Sequence, residues 1–219
     1  MPMAAARLDP DQVVRTALTL LDEVGLEGLT LRRLARELDV QAPALYWHFK
    51  NKQSLLDEMA TALQRELDET GGHPEPGAPW QDWFSEMFRH LRRGLLRHRD
   101  GAKVFGGTRL TGTGHAARQE EHLRLMTAAG FTPGAAARAF FIAYTFTMGF
   151  VIEEQAVHPM PGERTPGYDV EERAARLAPE HPLAAAVSGD FFGDDYDARF
   201  EEGLRAVVAG VEATLLTAS

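Results

Sequence analysis

Residues 30–52 read TLRRLARELDVQAPALYWHFKNK, with two short helical patterns either side of a tight turn. Leu31, Leu34, Ala35 and Leu38 fall at i, i+3, i+4 and i+7, which gives the first piece one apolar face. Asp39 follows where a chain leaving a helix often takes a positive φ, which Asp tolerates better than most residues. Pro43 suits the first turn of the next helix, because the N–H it lacks would have had no intrahelical partner there. Leu45 and Phe49, four apart, then point inward, and Ala42, Ala44, Tyr46, Trp47 and His48 are left outside or on the flanks. Successive helical side chains diverge by about 100°, so Tyr46, Trp47 and His48 cannot all share the inward face. At most one of them, Trp47 in part, is expected to pack inside. A helix of about two turns is not stable alone, so its neighbours must hold it. The pattern predicts a helix-turn-helix whose second helix offers a hydroxyl, an indole and an imidazole to a groove.

The surrounding charge fits that reading. The net charge of −9 argues at first against a nucleic-acid partner. Up to Lys52, however, seven basic residues, counting from Arg7, balance seven acidic ones, and residues 30–52 hold five basic against two acidic. A locally positive end on an acidic body suits a protein that docks on phosphates in one orientation. At 219 residues the chain can hold one or two small domains with a real core. It has no cysteine, which excludes disulfides, thiolate nucleophiles and thiolate metal sites and is compatible with a reducing cytoplasm. The N-terminus lacks the apolar core of a signal peptide. The most apolar run, 139–152, is bounded by Arg138 and Glu153 and is too short to span a bilayer. A cytoplasmic protein with no membrane partner is expected.

Helical periodicity continues outward from the central motif, and no strand signal is convincing. Asp9-Pro10-Asp11-Gln12 is a helix start, and Val14, Ala17, Leu18, Leu21 and Val24 form a buried stripe closed by Gly25. Asn51 caps a fourth helix carrying Leu55, Leu56, Met59 and Leu63. Residues 71–79, GGHPEPGAP, break the chain. Beyond them 80–97 is amphipathic, with Trp83, Phe84, Met87, Phe88, Leu91 and Leu95 inward. The glycine-rich stretch 106–114 invites a phosphate-cradle reading, but neither a preceding strand nor a Gly-Lys-Ser/Thr sequence accompanies it, so it reads as a flexible connection. A helix over 115–129 is closed by Gly130. Residues 137–154 are apolar nearly all round, so that helix is either central or covered by another subunit. The last helix, 198–216, carries Phe200, Leu204, Val207, Val208, Val211 and Leu215, with Asp195 or Asp197 as its cap.

Gly28-Leu29-Thr30, Leu34-Ala35 and Leu45-Tyr46-Trp47-His48-Phe49-Lys50-Asn51-Lys52 resemble the tetracycline-repressor family of bacterial transcription regulators. The resemblance continues through Trp80-Gln81-Asp82, the run from His98 to Val104 and Gly107-Thr108-Arg109, and thins after about Gln155. It implies an all-α protein with a helix-turn-helix domain over 1–52, a connecting helix over 53–70 and a ligand-binding and dimerisation domain over 71–219. It assigns DNA contact to Leu31, Arg32, Gln41, Ala42, Pro43, Ala44, Tyr46, Trp47, His48 and Lys52. Lys52, Tyr46 and His48 suit phosphates, Arg32 a guanine edge, and Ala42, Pro43 and Ala44 only apolar contact.

The family's drug-sensing members hold a magnesium–tetracycline chelate, and their metal-binding histidine aligns with Phe105. Their drug-binding asparagine and phenylalanine align with Met87 and Leu91, and a second-subunit histidine with Thr145. Thr108, Arg109 and Glu153 match, and His122 stands where the family has glutamine. Phenylalanine cannot coordinate Mg²⁺, so no metal or cofactor is expected and the effector is expected to be largely apolar. Phe88, Phe141 and Phe146 complete the expected apolar pocket. The implied function is a homodimeric repressor released from a palindromic double-stranded DNA operator by a small molecule. The rival is a helical small-molecule-binding or metal-dependent enzyme with a vestigial DNA-binding unit. Against it stand the absence of Gly-x-Ser-x-Gly, His-Glu-x-x-His and a nucleotide loop.

Overall fold

The computed structural model describes residues 9–75 and 77–216. Arg7 lies outside the described residues. Among these, every regular element is a helix.

Helix α1 (Pro10–Gly28) starts where Asp9 Oδ1 accepts the Asp11 N–H at 3.1 Å and Pro10 takes the first position. It buries Val13, Val14, Ala17, Leu20 and Leu21, while Leu18 and Val24, expected fully inside, are half-buried. Gly25 interrupts it at φ 69°, so one short turn follows the break. Helix α2 (Leu31–Glu37) is capped by the Thr30 hydroxyl, and Asp39 takes φ 51° in the turn that follows. Helix α3 (Ala42–Tyr46) is a single short turn with Pro43 at its start. Helix α4 (Lys52–Thr70) opens with a reciprocal cap in which Asn51 and Ser54 each satisfy the other's backbone N–H. Leu20, Leu21, Leu34, Leu45, Leu55 and Met59 close these four helices into one core. Val104 of α6 (Gly101–Phe105) also enters that core, so the body reaches into the N-terminal unit.

The second core lies between α5 (Trp80–Leu95), α7 (His115–Ala128), α8 (Pro133–Val157) and α12 (Tyr196–Leu215). Ala135, Ala139 and Ala143 recur every four residues on α8, and small side chains there let neighbouring helices approach closely. Helix α12 is capped by Asp195, whose Oδ1 accepts the Ala198 N–H. Arg92 of α5 forks onto Glu154 of α8 at 2.7 and 2.8 Å, reaches Asp197 of α12 at 2.7 Å, and lies over the Phe150 and Phe200 rings. This network, buried at Arg92 and Glu154 and open to water at Asp197, joins three helices, and no buried side-chain N or O atom among the described residues lacks a hydrogen-bond partner. Three short helices, α9 (Val170–Leu177), α10 (Pro182–Ala186) and α11 (Ser188–Phe192), pack mainly on one another and bury only Ser188.

Helix α8 is longer than its most apolar run, and by length and composition alone it could cross a bilayer. Here it forms the spine of the body, with α5, α7 and α12 packed on it and Thr147, Glu154 and Gln155 buried along it. It is therefore central, as one of the two expected arrangements requires. It nonetheless leaves Phe141 65% and Ile142 43% exposed in the single chain.

Candidate DNA-binding face and effector site

Leu45 and Phe49 anchor α3 from beneath, and the side chains between them turn outward. Tyr46 is 53% and Trp47 89% exposed, and His48 is also exposed. The expectation that Trp47 tucks partly inside is corrected: it caps the end of a helix too short to fold over it. Gln41, Pro43 and Arg32 are exposed, and Ala42 and Ala44 half-buried. Leu31 is a second correction. It is only 7% exposed and belongs to the core with Leu34 and Ala35, because the first position of α2 falls on its inward stripe. Lys52 is half-buried, with its ammonium on the Leu26 carbonyl at the end of α1, 2.5 Å away. Arg33, Arg36 and Lys50 are exposed and have no ion-pair partner among the described residues.

Two sets of hydrogen bonds connect this head to the body. Asp57 Oδ1 on α4 accepts the Arg109 N–H at 3.1 Å, and Thr61 Oγ1 accepts the Thr111 N–H at 2.9 Å. The glycine-rich stretch is thus tied to α4, and its reading as a loose connection is corrected to that extent. At the other contact, Asp100 holds φ 54° and its Oδ2 accepts the Leu26 N–H at 2.9 Å. Asp22 accepts the Arg99 N–H at 3.0 Å and lies 3.1 Å from His98 Nδ1. Burial alone would raise the Asp100 carboxyl, but the Leu26 N–H and the Lys103 ammonium outweigh it and hold its pKa below the ordinary carboxylate value.

The expected effector residues divide among several places. Leu91 and Phe105 meet at one cluster with Tyr144 and Met148, and Met87 lies half-buried along the same helix as Leu91. Thr108 donates its hydroxyl to the Phe105 carbonyl at 2.9 Å, which places it and Arg109 directly beyond that cluster. His122 is stacked between Trp83 and Phe140, with ring centres 5.7 and 5.9 Å away. Burial first, and Arg118 second, lower its pKa, which favours the neutral ring.

Five expected residues do not join this group. Phe88 is core, 5.0 Å ring to ring from Phe84. Phe146 packs on Phe150 and Phe200 against Gly203, where any Cβ would stand 2.5 Å from the ring. Phe141 and Thr145 lie four apart on the outward side of α8, away from the interior. A helix apolar all round gives no periodic sign of which face turns in, and this misplaced Phe141; Thr145, which the resemblance offers to a second subunit, stands on the outward side that such a contact requires. Glu153 is exposed on that same outward stripe.

A helix-turn-helix head joined by one helix to a larger helical body is the build of a ligand-responsive, DNA-binding regulator. The family model described as "Bacterial regulatory proteins, tetR family" matches residues 13–59, and "Tetracyclin repressor-like, C-terminal domain" matches 73–215. Over 205 residues the chain is 42% identical to the tetracycline repressor protein class A from transposon 1721 of Escherichia coli, covering 94% of this chain and 91% of that one. It superposes on the crystal structure of a possible TetR family transcriptional regulator from Streptomyces coelicolor A3(2) with TM-score 0.80 and 38% identity, covering 94% and 99% of the two chains. The TM-score is also 0.80, at 31% identity and with 98% and 100% covered, for the Streptomyces coelicolor TetR family protein ActR in complex with actinorhodin. The chain belongs to the TetR family. It is a ligand-responsive DNA-binding repressor, and the family is not one of enzymes.

Proposed function

We propose that two copies of this chain occupy a palindromic operator and leave it when a small, largely apolar effector other than a magnesium–tetracycline chelate binds the body. The observation that carries the operator half is the outward display of Tyr46, Trp47 and His48 on a helix pinned by Leu45 and Phe49. Such a helix enters a major groove without rearranging, and Gln41, Pro43 and Arg32 stand beside it. Pairing is supported by the outward stripes of two helices. Phe141, Ile142, Thr145 and Gly149 share one side of α8, and Ala206, Ala209, Gly210 and Ala213 form an exposed small-residue stripe on α12. A second copy laid on these stripes would cover them and set two heads about one DNA turn apart. This role requires the compartment that holds the chromosome, the cytoplasm.

The effector reading rests on Phe105. Its surroundings are Leu91, Tyr144, Met148 and Ile152, and no three His, Asp or Glu side chains converge to hold a metal among the described residues. The phenyl ring of Phe105 offers Mg²⁺ no lone pair, and the Tyr144 hydroxyl is the one oxygen-bearing side chain among these neighbours, so the set does not fit a magnesium chelate. An effector lodged by Met87, Leu91 and Phe105 would bear on Thr108 and Arg109, whose loop is hydrogen-bonded to Asp57 and Thr61 of α4. Shifting that loop moves α4, and α4 carries the heads. Binding free energy for one spacing of the heads is thereby subtracted from operator affinity.

The test is fluorescence anisotropy on the DNA upstream of the chain's own gene, with Trp47→Ala beside the wild type. Specific binding by the wild type, lost in the variant, is expected. Calorimetry with tetracycline, with and without Mg²⁺, tests the other half. Magnesium-dependent tetracycline binding that releases DNA would overturn the effector class while leaving the operator half standing.

A further inference from the structure

We propose that Arg36, one turn beyond the base-directed Arg32 on α2, seats a DNA backbone phosphate on the flank of the reading helix. This rests on the operator-binding role argued above. Arg32 and Arg36 are four apart on α2, so their side chains lie one above the other on one face. Both are exposed, and neither has an ion-pair or hydrogen-bonding side-chain partner among the described residues. They border a surface concavity of about 620 Å³ whose other wall is the turn from Asp39 through Gln41 to Ala42, where α3 begins. A hollow at the elbow of a helix-turn-helix, walled by two free guanidiniums, has the size and charge for the sugar–phosphate strand flanking the groove that α3 enters.

The place on the fold assigns Arg36 to phosphate rather than to a base edge. Arg32 stands at the first turn of α2 and Arg36 a full turn further from it, towards the elbow. The indole of Trp47 and the hydroxyl of Tyr46 are presented from the far end of α3. A guanidinium at the elbow, beside the groove rather than in it, meets the backbone first. Asp39 is the one acidic side chain on the hollow. Its φ of 51° is also accessible to Asn, so its charge can be removed without straining the turn.

The experiment compares wild type, Arg36→Ala, Arg36→Lys and Asp39→Asn for duplex affinity across a salt series, on the operator and on a random duplex. Arg36→Ala is expected to lower both affinities by a similar factor, about eightfold per head at 0.1 M salt. It should also flatten the slope of log affinity against log salt by about 0.9 per head. Arg36→Lys should restore the slope, because a point charge serves a phosphate. Asp39→Asn should bind both duplexes more tightly than the wild type. The exposed Arg36 side chain makes no hydrogen bond or ion pair among the described residues, so unchanged thermal unfolding is expected in both arginine variants. A slope equal to that of the wild type overturns the seat. A loss confined to the operator overturns it too, by making Arg36 a base reader. Wild-type protein that binds no duplex at all overturns the operator role, and the seat with it.

Discussion

Leu45 and Trp47 stand two positions apart and take opposite duties, because about 200° of helix rotation separates them. Leu45 is fully buried, so Leu45→Ala should cost about 2–5 kcal/mol in urea unfolding, as cavity-forming changes in cores do. Trp47→Ala should change stability by less than about 0.5 kcal/mol, since the side chain is almost wholly in water. Finding that Trp47→Ala destabilises as much as Leu45→Ala would make the indole a packing group and remove its claim on DNA. Spacing alone placed Leu45 inside, but it left Trp47 partly inside, where the structure has it almost wholly in water. It also placed Leu31 inside, and the carry-over of a DNA contact onto that position went wrong only by disregarding the spacing.

Asp100 yields a prediction in pH. Its folded pKa lies below the ordinary carboxylate value, so its contribution to stability is complete above that value and is lost as pH falls through the folded one. The gap in Tm between wild type and Asp100→Asn should therefore narrow as pH is lowered from about 5 to about 3. A gap constant over that range would show that the carboxylate charge contributes nothing at this contact.

The elements were legible in the sequence to the degree that they are periodic. Helices α1, α4, α5 and α12 carry stripes three and four residues apart, and the starts of α1, α4 and α12 were marked by residues whose side chains do the capping. What joins head to body was not legible. Thr61 meets Thr111 and Asp57 meets Arg109 across about fifty residues of chain, through single hydrogen bonds that leave no repeat to detect. Helices α9 to α11 bury almost nothing, and the short stripe of Val170, Ala174 and Leu177 on α9 is too brief to announce them.

The α4 contact makes its own prediction. Thr61→Val keeps the side-chain shape but removes the acceptor of the Thr111 N–H. It should leave effector affinity for the free protein within about threefold while reducing effector-driven DNA release, by an amount on the order of 1 kcal/mol of coupling. Full release in the variant would move the coupling route elsewhere, with the contact between Asp100 and Leu26 as the next to test.

At the scale of the whole molecule, charge and symmetry act together. The described body is acidic while the head carries unpaired Arg32, Arg33, Arg36 and Lys50, so long-range fields turn one end of the protein towards DNA. One short reading helix gives little affinity, and useful occupancy requires two heads held on a two-fold axis. The outward side of α8 is where that axis can run, because Ile142 and Phe141 are its large apolar groups in water. Ile142→Glu would place a charge in the middle of such an interface, and an unpaired buried carboxylate opposes association strongly. The expected result is a folded monomer by sedimentation velocity, with the helical content of the wild type and with operator affinity reduced at least a hundredfold towards that for random DNA. Because Ile142 is exposed within its own chain, the substitution leaves the chain's core intact, so any loss of binding reports on pairing. A variant that sediments as a dimer and keeps its operator affinity would place the two-fold axis on another surface of the body.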